Sequence, residues 1–154
     1  MKHLLFFFLS FTSAGLALAQ SPSATREKSF TFREQKIRVA AIELTVEVAE
    51  TPEQHSRGLM FRSKLEEGRG MIFIFPDAEY RGFWMKNTFI PLSIGYFDAN
   101  KKLVDMQDME PVKSMMEANP PTYRSKKPAQ YALEVPKGWF RKHKIKIGDS
   151  LSGL

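Results

Sequence analysis

The chain has 154 residues, no cysteine, and 23 lysines and arginines against 17 acids, for a formal charge of +6. That length suits one domain with a real core, and the lack of cysteine excludes both a disulfide framework and acylation at a lipoprotein cysteine. The cations are scattered rather than blocked, which argues against a nucleic-acid partner and for loose attraction to anionic surfaces.

Residues 1–19 have the makeup of a secretory leader. Lys2 gives a positive start, the stretch from Leu4 is apolar, and Ala17-Leu18-Ala19 supplies the small-x-small pattern of a signal-peptidase site. The apolar run to Ala19 is 16 residues long and is broken by Ser10, Thr12, Ser13 and Gly15. A bilayer span needs roughly 20 apolar residues, so cleavage leaves no stable membrane span, and a periplasmic or secreted location is expected. The polar, Pro-containing residues 20–29 form a flexible tether, and residues 30–154 form a single β-rich domain, expected as a monomer.

Within that domain, Ile42, Leu44, Val46 and Val48 alternate with Glu43, Thr45 and Glu47, the period of a half-buried strand whose acids are solvated. Thr51-Pro52-Glu53-Gln54 opens a short helix with capping-box spacing, and Gly58 ends it. Leu59, Met60 and Phe61 are then expected to drop into the core, and His55, with no second ligand at metal spacing, reads as a surface histidine. Met71-Ile72-Phe73-Ile74-Phe75, closed by Pro76-Asp77, predicts a central strand buried on both faces. Residues 83–86 and 92–97 predict two more strands, and turn residues 98–101 lead back into a hairpin partner over 102–109. Residues 111–128 read as a long loop. A strand over 130–135, a turn or short helix over 136–143 and a last short strand after Gly148-Asp149 complete the chain. The fold class is therefore mainly β: a compact β-sandwich or partly closed barrel, jelly-roll-like, with one or two short helices.

Several separated motifs carry a resemblance. Arg57-Gly58-Leu59-Met60-x-Arg62, Gly70-Met71-Ile72-Phe73, the run Phe83-Trp84-Met85-Lys86-Asn87-Thr88-x-Ile90-Pro91-Leu92, and Tyr131-Ala132-Leu133-Glu134-Val135 followed by Gly138 and Ile147-Gly148-Asp149 resemble the family called domain of unknown function 192. The resemblance implies a compact mainly-β domain of exported bacterial or archaeal proteins and no assigned activity. It also implies an acid directly after Ile-Pro-Leu, where this chain carries Ser93.

The run 83–92 mixes a cation, a carboxamide and a hydroxyl into otherwise apolar text, which is costly to bury without partners. Either Lys86, Asn87 and Thr88 lock a strand crossing, with Lys86 as a cation–π strut on Trp84, or Trp84 and Lys86 face a pocket. In the second case Arg57 and Arg62 complete an anion-binding wall. Glu134, between two apolar strand residues, is expected to face inward and pair with Arg57, Arg62 or Lys86. Met106, Met109, Met115 and Met116 could hold Cu(I) through thioethers if they converged, although Met commonly fills cores. In the cation-rich segment 137–147, Trp139, Phe140, Ile145 and Ile147 are expected in the core. No nucleophile–base pair, phosphate loop or metal-ligand spacing is legible, so no catalytic residue, metal or cofactor is expected.

The expected function is non-catalytic binding of an anionic or polar envelope ligand, small or polymeric, by Arg57, Arg62, Trp84, Lys86, Asn87 and Glu134. The alternatives are an envelope-polymer hydrolase using Glu134 and a methionine-based Cu(I) carrier. For the leader, intact mass of protein purified from its own host should correspond to a chain starting at Gln20; retention of residues 1–19 would contradict cleavage.

Overall fold

The computed structural model describes residues 31–154, so the expected leader and the expected tether lie wholly outside the described residues. Two strands open the fold, β1 (Arg33–Val39) and β2 (Ile42–Ala49), joined by a two-residue turn and paired antiparallel from Val39↔Ile42 outward. Only β2 is legible in sequence. The turn is Ala40-Ala41, with Ala40 at φ 52°, and it lacks the Gly or Asn that normally marks positive φ.

A crossover follows. Thr51 caps α1 (Pro52–Arg57): the Gln54 N–H donates to Thr51 Oγ1 at 3.2 Å while Gln54 Oε1 accepts from the Thr51 N–H at 3.2 Å. Gly58, at φ 44°, stops the helix, and its N–H donates to the Gln54 carbonyl. The chain then returns as β3 (Arg69–Glu79), parallel to β2 and paired Thr45↔Arg69 through Ala49↔Phe73. Pro76 does not end this strand as its sequence suggests. The register against the neighbouring strand slips between Ile74 and Glu79, and the bulge accommodates the missing N–H.

The remaining elements are β4 (Gly82–Trp84), β5 (Leu92–Phe97), β6 (Leu103–Met109), β7 (Thr122–Arg124), β8 (Ala129–Pro136), α2 (Trp139–Lys142) and β9 (Leu151–Ser152). One sheet runs β6-β5-β8-β3-β2-β1-β9, and β4 pairs with β7 as a separate ribbon. The large sheet curls until its ends meet. Lys102 bridges Ser150, the Leu103 N–H donates to the Asp149 carbonyl at 2.8 Å, and the Leu151 N–H donates to the Lys101 carbonyl at 2.8 Å. Of the two expected architectures, the partly closed barrel is therefore the one formed. No helix among the described residues is long and apolar enough to cross a membrane.

Both faces of the sheet are covered. Inside the curl, Ile72, Leu133, Val135, Phe97 and Leu103 pack against Trp139 and Phe140 of α2. On the other face, Met71, Phe73, Ile94, Tyr96 and Ala132 pack beneath Leu59, Met85 and Ile90, supplied by the end of α1 and the segment after β4. Two expectations fail at the margins. Phe61 and Ile147 are exposed, because each lies within a turn that ends its buried run.

Gly95 fixes the distance between β5 and α2, since a Cβ there would lie 2.5 Å from Phe140 Cζ. Gly95→Ala is expected to lower stability by about 1–3 kcal/mol through overpacking. Adding Phe140→Leu should recover part of the loss, because the two sites are in contact. Urea midpoints of the single and double variants check both statements, and an unchanged midpoint for Gly95→Ala would contradict the packing described.

Candidate functional site

The run 83–92 is a lock on the second face of the sheet. Phe83 and Met85 point inward while Trp84 and Lys86 point out, as strand alternation requires. Lys86 Nζ lies 4.9 Å from the centroid of the Trp84 ring. Asn87 sits at φ 53°, where Asn is tolerated, and its carbonyl accepts from the Phe61 N–H at 2.8 Å. Thr88 Oγ1 donates to the Lys86 carbonyl at 3.1 Å, and the Thr88 carbonyl accepts from the Val112 N–H. These bonds hold the segment over the sheet.

Beneath it lies a crevice. Its narrow inner part, about 30 Å³, is lined by residues 55–60, Phe73, Phe83, Trp84, Thr88 and Glu134. It shares His55, Ser56, Phe73, Phe83 and Trp84 with a wider mouth of about 430 Å³, to which Phe75, Tyr80 and Arg81 contribute. The walls are aromatic and mutually braced. Phe83 meets Phe73 edge-on at 4.8 Å and Phe75 at 6.3 Å, and His55 lies 4.5 Å from Phe75. Arg81 stacks 4.1 Å over Phe75, held in place by Asp77 and by the Ala129 carbonyl.

Glu134 forms the floor. It lies on β8 between Met71 of β3 and Ile94 of β5 and is only 6% exposed. Five polar residues are buried among the described ones, and four of them are satisfied. Asp105, the other acid, accepts from Gln107 Nε2 at 2.8 Å and from the Lys126 N–H at 3.1 Å. Thr88 bonds Lys86, Ser93 accepts from Gly138, and Ser125 accepts from the Arg81 N–H. The Glu134 carboxyl makes no hydrogen bond or ion pair with any described residue, and its surface is that of the crevice. Burial alone pushes its pKa up to about 8, so the carboxyl is mostly neutral at pH 7.

The expected ion pair to Glu134 is therefore not formed, for a reason visible in the neighbours. Arg62 pairs with Glu47 at 2.6 Å, the Arg57 guanidinium stacks 4.8 Å over Phe61, and Lys86 is on the solvent side of Trp84. Each cation has found a more exposed partner, where its own desolvation is smaller. Of the six sequence-predicted site residues, Arg57, Trp84 and Glu134 meet in the crevice. Arg62 borders a separate depression beside Glu47, Lys86 lies outside, and Asn87 holds the lock with Nδ2 4.0 Å from Met60 Sδ.

Sequence reasoning missed His55 and the phenylalanines. His55 is half-buried rather than a surface residue. Its Nε2 lies 3.1 Å from both the Ala49 and the Ile74 carbonyls, and because carbonyls only accept, Nε2 carries the proton. The missed signal was the helix itself: a histidine one turn before its glycine stop faces the strand that follows.

Two further expectations are corrected. The methionines do not converge: Met109 is buried in the second core, Met106 packs against the first, and Met115 and Met116 are exposed. Ser93 does not leave its position without a carboxylate. Its hydroxyl donates to Asp108, directly opposite on β6, and accepts from the Gly138 N–H at 2.8 Å. This cluster is on the inner face of the curl, away from Glu134.

Fold and crevice together define a small curled-sheet domain with a buried acid, unpaired among the described residues, under an aromatic lid. The chain belongs to the domain of unknown function 192 family, described as an uncharacterized ACR, which it matches over residues 33–153. It is 28% identical over 114 residues to a UPF0127 protein of Pyrococcus abyssi, covering 71% of this chain and 86% of that one. Among solved structures it is similar to a Sinorhizobium meliloti protein named as a candidate transcription regulator, with TM-score 0.71, 28% identity, and 81% and 97% of the two chains covered. A Novosphingobium aromaticivorans protein of unknown function shares the fold at TM-score 0.66 and 24% identity, with 87% and 94% covered.

Because the Glu134 pKa is raised on folding, the native state holds a proton that the unfolded chain releases. Its contribution to stability is complete below about pH 4.5 and is lost as pH rises toward 8, at about 1.4 kcal/mol per pH unit in between. Glu134→Gln keeps the shape and removes the titration. Urea midpoints at pH 5 and pH 8 should fall more for the natural chain than for Glu134→Gln; parallel changes would contradict a neutral buried acid. For the lock, Asn87→Val should cost about 1–3 kcal/mol through strain at positive φ. Lys86→Ala should cost less than about 1 kcal/mol, since its cation–π contact is exposed. Thermal unfolding of both variants checks the order.

Proposed function

We propose that this chain is a non-catalytic binding protein of the cell envelope, periplasmic or secreted and monomeric. It takes a small ligand into the crevice beneath Trp84. The single observation that carries the reading is Glu134, a buried carboxyl with no hydrogen-bond or ion-pair partner among the described residues that lines that crevice. A buried acid left unpaired is costly, and it persists where a ligand completes it. The aromatic walls supply apolar contact, and Ser56, Thr88 and Glu134 supply polar groups, the usual makeup of a small-molecule site.

An anionic ligand is disfavoured within the crevice: Arg62 and Lys86 are engaged outside it, the Arg57 guanidinium stacks on Phe61, and Arg81 at the mouth is held by Asp77 and the Ala129 carbonyl. The hydrolase alternative needs a second carboxylate near the first, and no other acid among the described residues lines the crevice. The separated methionines likewise give Cu(I) no thioether cluster. A role as a transcription regulator, the name given to the Sinorhizobium meliloti neighbour, is not adopted for this chain. Basic side chains from Arg33 to Lys142 engage acids singly around the surface rather than forming one stripe.

Native mass spectrometry of protein purified from its own host tests the reading. Wild type should retain a bound small molecule, and Ser56→Trp, which adds bulk at an exposed position on the crevice wall, should lose it. Wild-type protein carrying no added mass would overturn the proposal.

A further inference from the structure

Resting on that binding reading, we infer that the ligand is a primary amine with an apolar body. Its ammonium sits in the inner cavity on Glu134 and its body lies in the wider mouth, against Phe75, Phe83 and Trp84. The hydrogen-bonding state of the cavity walls supports this choice. The Thr88 hydroxyl proton is committed to the Lys86 carbonyl, so toward the cavity Thr88 can only accept. The His55 Nε2 hydrogen is committed to two carbonyls, which leaves Nδ1 as the ring nitrogen not engaged by them. An ionised Glu134 accepts only. Thr88 and Glu134, both lining the inner cavity, thus call for a donor, and an ammonium has three N–H donors and no acceptor.

Size and charge agree with this assignment. The inner cavity, about 30 Å³, takes a group the size of one water, and so an ammonium but not a carboxylate or phosphate. Aromatic faces next to it favour a cation over an anion. A divalent metal is a poorer occupant, since no group of three or more potential His, Cys, Asp or Glu ligands occurs among the described residues. The charged or titratable groups facing Glu134 are His55 and Arg57 of α1 and Tyr96 of β5. Arg57 does not oppose the cation, because its guanidinium stacks on Phe61 and contributes no shift at Glu134. Tyr96 donates to the Tyr123 carbonyl at 2.8 Å and stays neutral, its phenol held far above its ordinary range chiefly by burial.

Binding ionises the acid: the carboxyl proton leaves to solvent and the ammonium takes its place as partner. For an amine protonated throughout, affinity should rise about tenfold per pH unit while Glu134 is mostly neutral and level off above about pH 8.

The test is calorimetric titration of the full chain with phenethylamine and with its neutral analogue 2-phenylethanol, at pH 6, 7 and 8.5. Each is run in two buffers of different ionisation heat. Phenethylamine should bind about tenfold more tightly at pH 7 than at pH 6, with net proton release. It should lose at least about tenfold in affinity in Glu134→Gln, and 2-phenylethanol should show little pH dependence. Binding of 2-phenylethanol without phenethylamine would overturn the amine assignment and leave the crevice as a binding site. So would amine binding that ignores pH and the Glu134→Gln change. If neither compound binds, the amine assignment falls, and the retained-ligand experiment separately decides the binding reading.

Discussion

β8 lies in the middle of the sheet with β3 on one side and β5 on the other, and both of its faces are covered. Leu133 and Val135 point into the curl; Ala132 and Glu134 point toward the aromatic layer. A carboxyl on such a strand cannot turn to solvent, because a change of side would require a one-residue slip that also turns Leu133 and Val135 outward. The hydrophobic register therefore holds Glu134 in place. The rest of the second face is arranged around that fact, with Phe73, Phe83 and His55 enclosing the acid and leaving a cavity above it rather than a cation against it.

The cover is built from local devices that each solve a backbone problem. The capping box sets where α1 begins and Gly58 sets where it stops, which brings Leu59 into the core and leaves Ser56 and His55 over β3. Asn87 at positive φ reverses the chain after β4, and Thr88 ties the reversal to both Lys86 and Val112. The two covers meet where the Phe61 N–H donates to the Asn87 carbonyl. A lock and a site are therefore not alternatives here. The polar residues of the run 83–92 hold the roof, and the apolar ones line the room.

Much of this was legible in the sequence wherever the cause is local. β2, β3, β5, β6 and β8 follow from alternation or apolar runs, and α1 follows from Thr51, Pro52 and Gly58. β1 was not marked, because Ala40-Ala41 turns without the residues that favour such a turn. The end of β3 was misplaced, because the effect of Pro76 depends on whether the neighbouring strand can bulge. Ser93 looked like a lost charge, yet the carboxylate stands one strand away at Asp108, a cross-strand neighbour that no sequence window spans.

By itself the sequence determined family, fold class, the position of the helix and the inward direction of Glu134, since these depend on period, capping and motif spacing along the chain. Only the tertiary structure decided what Glu134 would meet. Three cations were available in sequence, and each settled against a partner nearer the surface, where charge loses less hydration. The partnering of a buried acid is a contest among residues distant in the chain, decided by where the folded backbone places them. The outcome left one carboxyl without a partner among the described residues, beneath an aromatic layer, and that gives this protein its candidate site.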